Sequence, residues 1–181
     1  LRLICYVGGH EELARYEGGP VRPGPQARLW IDGVKFYSDG ALGSRGAALI
    51  DDYCDRPGHR GLLIQSPEEL QRMIRLCMER ELVPTIHAIG DRGNRVTLDA
   101  LIGAHASLGT DRPLSDWRPR IEHAQIVHPD DFARFHPGGA LGRKLTVRVA
   151  DVMVPLNEYP HIPYWFTLRQ AIVDGGIQDI H

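Results

Sequence analysis

Thr85-Ile86-His87-Ala88-Ile89-Gly90-Asp91 and, further along, Arg120-Ile121-Glu122-His123-Ala124-Gln125 each carry a short apolar or β-branched run into a histidine. A strand would meet a loop at both places, and the segment between them is long enough for a helix. The pair therefore reads as one β-α-β unit with an imidazole at the C-terminal mouth of each strand. Parallel α/β sheets and barrels place their chemistry at that edge, because converging loops are held there by rigid strands. Either histidine alone also fits a hydrogen-bonded structural residue. Presented together, they point to a metal.

Working outward, Trp30-Ile31-Asp32-Gly33-Val34-Lys35-Phe36-Tyr37 reads as an apolar, aromatic strand that contains a lysine. An ammonium there is costly to bury unless it is paired or chemically changed. A neutral amine can take up carbon dioxide and become a carbamate, an anionic oxygen ligand; a lysine that snorkels or pairs with Asp39 is the plainer alternative. Leu1 to Val7 reads as a strand and Glu11 to Tyr16 as a short helical turn. Asp39 to Gly61, rich in Gly, Asp and Pro, is expected to be a long loop over the sheet edge, a length that in a compact domain usually marks a binding or lid segment. Ser66-Pro67-Glu68-Glu69 is a helix start: serine N-cap, proline at the first helical position, and glutamates that complement the dipole and can close a capping box. Leu70, Met73, Ile74, Cys77 and Met78 then recur at helical spacing. Leu82 to His87, Asn94 to Ala106 and Arg118 to Ala124 follow as strand, helix and strand, and Pro129-Asp130-Asp131 opens a further helix.

Composition limits the function classes. Hydrophobic residues make up 43% and charged residues 24% of the 181, ordinary values for a globular α/β protein. No apolar run approaches the roughly 20 residues of a membrane span. A formal net charge of −2 gives no long-range attraction for nucleic acid or acidic lipid. Cys5, Cys54 and Cys77 form no Cys-x-x-Cys pair and fit a reducing cytoplasm, although a periplasmic form whose leader is gone stays compatible.

The motifs Val34-Lys35-Phe36-Tyr37, Asp39-Gly40-Ala41-Leu42-Gly43-Ser44-Arg45, Gly61-Leu62-Leu63, His87-Ala88-Ile89-Gly90-Asp91-Arg92 with Asn94, Leu98-Asp99-Ala100 and Arg118-Pro119-Arg120-Ile121-Glu122-His123-Ala124-Gln125 occur in a fixed order. Together they resemble the amidohydrolase superfamily, in the branch of amidohydrolase family 3 that holds YtcJ-like proteins and N-substituted formamide deformylases. The likeness runs almost without a break from about Ala27 to Phe135. It implies a parallel (β/α)8 metal-dependent hydrolase barrel joined to a small β-sandwich. By the same resemblance, Lys35 matches the lysine that can be carboxylated on the fourth strand, His87 the fifth-strand ligand and His123 the sixth-strand ligand. The cofactor implied is one or two divalent ions, with zinc as the expected metal. Asp91 and Arg92, just past the His87 strand, are expected to orient that ligand or contact substrate; a helix-start aspartate beside a solvated arginine is the alternative. Asp151, at the end of Leu145-Thr146-Val147-Arg148-Val149-Ala150-Asp151, matches imperfectly the eighth-strand aspartate that binds metal and acts as general base. The same stretch also resembles a strand upstream of the lysine motif, which would leave Asp151 without a catalytic role. The first-strand His-x-His pair has no counterpart, since no two of the nine histidines stand in that spacing.

Length bounds how much of this machine is expected. A complete barrel takes about 250 residues, so 181 residues imply an incomplete one, with central strands about 3 to 6 in residues 1–140 and a divergent tail, 141–181, that reads as the eighth-strand region after a deletion. The chain opens directly on a strand, without an initiator methionine or signal peptide, and the pattern breaks at His136-Pro137-Gly138-Gly139-Ala140. The function these features imply is metal-assisted hydrolysis of carbon–nitrogen bonds other than peptide bonds. A non-catalytic remnant that folds, or associates with further copies through open strand edges, is the alternative. A serine hydrolase built on Ser44 lacks the Gly-x-Ser-x-Gly elbow.

Overall fold

A computed structural model describes residues 3–135. Within them, β1 (Leu3–Gly8), α1 (Glu11–Arg15), β2 (Leu29–Tyr37), α2 (Pro67–Glu79), β3 (Val83–Ala88), α3 (Asp91–Ser107) and β4 (Arg120–His123) follow in chain order. Short 3-10 helices occupy Leu114–Trp117 and Pro129–Phe135. The strands form one four-stranded parallel sheet in the order β1-β2-β3-β4. The expectations for 136–181, including the divergent tail and Asp151, lie outside the described residues.

Alternation along the strands decides which face meets the helices. Val34 and Phe36 of β2 and Ile86 of β3 are fully buried against Leu70, Met73, Ile74, Cys77 and Met78 of α2 and Ala100, Leu101 and Ala104 of α3. Burying a side chain such as Phe36 contributes about 1.5–3 kcal/mol relative to leaving it exposed. The intervening residues point the other way. Lys35, Thr85 and Arg120 stand in register across three strands, and Tyr37, His87 and Glu122 form the next row. This second face is polar and charged, so the chemistry-bearing residues are collected on the side of the sheet away from the helices.

The local signals work as the residue chemistry demands, with three differences. Ser66 Oγ accepts from Glu69 N at 3.1 Å, so the serine caps α2, but the reciprocal arm of the capping box is not made because Arg72 holds the Glu69 carboxylate at 2.8 Å. α3 begins at Asp91 rather than Asn94, since Gly90 in extended backbone serves as its N-cap. Pro129–Phe135 winds as a 3-10 helix, and Leu114–Trp117, with no strong sequence signal, is a second one. That turn buries Trp117, whose Nε1 donates to Met78 O at 3.0 Å while the Arg112 guanidinium lies 3.9 Å above the ring centre.

Candidate functional site

β3 and β4 run in register, so the ends of both strands fall side by side, with Ala88 opposite His123. Simple alternation would send the His123 side chain to the helix face. The backbone prevents this: His123 and Ala124 take φ values of 75° and 41°, a left-handed conformation uncommon for non-glycine residues. The ring of His123 thereby comes within 4.7 Å of the ring of His87, edge to face. Two consecutive residues in this conformation store backbone strain, and such strain concentrates at functional sites.

His87 is half-buried and His123 exposed. Burial pushes the His87 imidazole below its ordinary range, and the neighbouring His123 and Lys35 act in the same direction, while the Gly40 backbone and Asp39 oppose them. Neutral imidazole is the form that ligates a metal. Lys35 sits one row deeper. Burial lowers its ammonium below the ordinary range, Glu122 pulls it back up, and Arg120 lowers it further. Its Nζ lies 5.2 Å from the Tyr37 ring centre rather than on Asp39. Glu122 shares the Lys35 face and is taken by Arg120, whose Nε donates to it at 3.2 Å; that bond holds the Glu122 carboxyl below its usual range.

Asp91 and Arg92 turn to the long loop. Asp91 Oδ1 accepts from Ile50 N at 2.8 Å and from Arg92 N at 2.9 Å, and Arg92 Nη2 donates to Arg60 O at 3.3 Å. The loop itself, residues 38–66, contains neither helix nor strand. It is closed by Arg45 on Asp55 at 2.7 Å and Arg60 on Asp52 at 2.7 Å.

Two residues whose placement sequence reasoning missed hold the strand ends together. Asp39, fully buried, accepts from Ile89 N at 2.9 Å, Gly90 N at 2.8 Å and Ala48 N at 2.9 Å. Asn94, also fully buried, donates through Nδ2 to Gly90 O at 2.9 Å and Ile126 O at 3.0 Å, bridging the loops after β3 and β4. For Asp39 the available signal was a polar residue two positions beyond the end of β2; Asn94 lies inside α3, and its only signal was its place in the motif, because burial is not written in the sequence. Among the described residues, no group of three or more His, Cys, Asp or Glu side chains stands ready to hold a metal ion. What the sheet edge offers is a partial donor set, two imidazoles and an amine, and the neutral state of His87 suits it to a divalent ion.

Comparison with known proteins identifies the family. Residues 1–169 match the amidohydrolase family. The putative amidohydrolase YtcJ of Bacillus subtilis is 30% identical over 152 residues, 84% of this chain and 24% of that protein. Protein LONG AFTER FAR-RED 3 of Arabidopsis thaliana is 40% identical over 107 residues, 59% of this chain and 18% of its own length. Among solved structures, an uncharacterized metal-dependent hydrolase from Pyrococcus furiosus superposes with a TM-score of 0.62 at 33% identity, covering 75% of this chain and 26% of that one. A shorter similarity stands apart: arabinose 5-phosphate isomerase KdsD of Salmonella typhi is 53% identical over 45 residues, 25% of this chain and 14% of the isomerase. The chain thus belongs to the amidohydrolase family, and it spans about a quarter or less of the length of these relatives.

Proposed function

From membership in the amidohydrolase family we propose that this chain carries the central strands of an incomplete (β/α)8 barrel whose parent hydrolyses carbon–nitrogen bonds other than peptide bonds, in amides or formamides. The observation that carries the reading is the edge-to-face pair of imidazoles at the mouths of adjacent parallel strands, 4.7 Å apart. In this reading His87 and His123 are metal ligands and Lys35, whose ammonium form burial disfavours, is a third. Its amine adds to carbon dioxide through the nitrogen lone pair and loses one proton to solvent water, which leaves an anionic carbamate oxygen. A divalent ion held there, zinc in this reading, supplies Lewis acidity, acidifying water and polarising the carbonyl under attack. Asp91 and Arg92 act on the substrate by holding the long loop over the mouth. Asp151 takes the proton of the attacking water and returns it to the leaving nitrogen. The substrate is a small molecule, the compartment is the cytoplasm, and further copies can meet at open strand edges.

Three donors bind less tightly than a full set, so the chain by itself is expected to take up zinc weakly and to turn over simple N-formyl or amide substrates little or not at all. Elemental analysis and turnover assays on the purified chain and its His87→Ala and His123→Ala variants test this. Zinc uptake that drops with either substitution supports the assignment. A full-length relative with the same motifs that holds no metal and keeps its activity after either change overturns it.

The isomerase similarity favours a second reading. Its 53% identity exceeds that of the amidohydrolase relatives, although it is confined to 45 residues. The amidohydrolase motifs fill Ala27 to Phe135 and break at His136, so we place this similarity in residues 136–181 and read the chain as a composite in which Asp151 has no catalytic role. The family match, which runs to residue 169, competes with that placement. Coding DNA read through the codons for Phe135 and His136 in a second, independently obtained copy of the gene decides between them. An amidohydrolase sequence that continues past Phe135 to its own eighth-strand aspartate supports the composite; the present tail in an otherwise complete amidohydrolase gene contradicts it.

A further inference from the structure

The Asp39 carboxylate lies at the junction of the long loop, the end of β3 and the start of α3. A carboxylate offers about four lone-pair positions, and backbone N–H groups of Ile89, Gly90 and Ala48 occupy three of them. The fourth, on Oδ1, lies toward the His87 ring, with Nε2 3.6 Å away. That nitrogen is itself buried and has no hydrogen-bond partner among the described residues. An acceptor with one free position and an unpartnered ring nitrogen thus face each other, separated by roughly half an ångström more than a hydrogen bond allows; the Gly40 backbone, which also favours a protonated ring, is the competing acceptor. The acceptor cannot swing away, because three backbone donors from two segments fix it. Gly93 keeps the space open, since a Cβ there would strike the Asp39 carboxylate.

We propose that Asp39 is a positioning residue for the candidate metal site: it takes the Nε2–H of His87, fixes the ring as the Nε2-protonated tautomer, and leaves Nδ1 as the nitrogen free to ligate. The inference rests on the reading of His87 as a ligand. Metal-bound histidines generally donate their other ring N–H to a carboxylate or carbonyl, which orients the ring and selects the tautomer. Here the orienting group is supplied by the loop that begins directly after the lysine strand. Loop closure and ligand orientation therefore depend on one side chain.

Long-range 1H–15N correlation spectra of the ring nitrogens, recorded on the 15N-histidine-labelled chain without metal, read the tautomer directly. The expected result is a single Nε2-protonated tautomer for His87 in the native chain, replaced by a tautomer mixture in Asp39→Asn. An Nδ1-protonated ring in the native chain overturns the proposal without any variant, which covers the case in which Asp39→Asn does not fold. A folded Asp39→Asn chain that keeps the native tautomer overturns it as well. Zinc is then added to both proteins, and loss of the carboxylate is expected to weaken binding about 10- to 100-fold. If zinc leaves the His87 resonances of the native chain unmoved while the tautomer is as expected, the ligand reading fails and the orienting contact stands; if zinc moves them equally in both proteins, the positioning role fails and the ligand reading stands.

Discussion

Gly90 shows how closely the residues around His87 are fitted. A Cβ on this residue would run into the Ala48 carbonyl of the long loop, while its backbone N–H is held by Asp39 at 2.8 Å. Gly90→Ala is therefore expected to lower stability by about 1–3 kcal/mol, the usual cost of forcing extra atoms into a packed site, and to push the loop off the end of β3. Urea midpoints for the two proteins check this; an unchanged midpoint would show that the loop yields freely. Both histidines could be read from the sequence because each ends an apolar run at a strand mouth. Their approach could not, because alternation places His123 on the wrong face and only the left-handed backbone at His123 and Ala124 turns it back. Asp39 was visible as a motif residue, yet its partners come from positions 48, 89 and 90, and nothing local announces such long-range bonds.

Elements are tied to one another by a few ion pairs with little exposure. Asp131, in the 3-10 helix after β4, accepts from Arg95 of α3 at 2.8 Å and from Arg134 at 2.8 Å, and is almost fully buried. Burial alone would raise its carboxyl, but the bonds from Arg134 and Arg95 outweigh that and hold it below the usual carboxylate range. A folded value below the unfolded one means that the contribution is complete above the unfolded carboxylate value, about 3.9, and is lost as pH falls through the folded value. Asp131→Asn is expected to cost about 1–3 kcal/mol at neutral pH, with the gap to the native chain narrowing as pH is lowered through that window. Denaturant midpoints at neutral and acidic pH measure it, and a gap independent of pH would contradict the ion-pair account. Element order and type were legible from periodicity and capping residues, as at Ser66 and Pro67. The early start of α3 was not, because a glycine N-cap leaves no side-chain signal.

At the scale of the molecule, one sheet separates two environments: an apolar face under α2 and α3, and a charged face carrying Lys35, His87, Arg120 and Glu122. No helix among the described residues is long and apolar enough to cross a membrane. Val34, Phe36 and Ile86 are buried under the helices while Lys35, Tyr37 and His87 lie on the other face; the parallel α/β class was legible from the β-α-β order of the runs and from the motifs, whereas this division of faces was not. The central claim is that the charged face ends in a metal site at the mouths of β3 and β4. Titration of the 15N-histidine-labelled chain with zinc tests it most directly, because all nine histidines report in one spectrum. The account predicts that the ring resonances of His87 and His123 shift together, at a common zinc concentration, while those of His10, His59 and His105 stay in place. Zinc that moves His87 and His123 no more than those three, or moves only one of the pair, would contradict it.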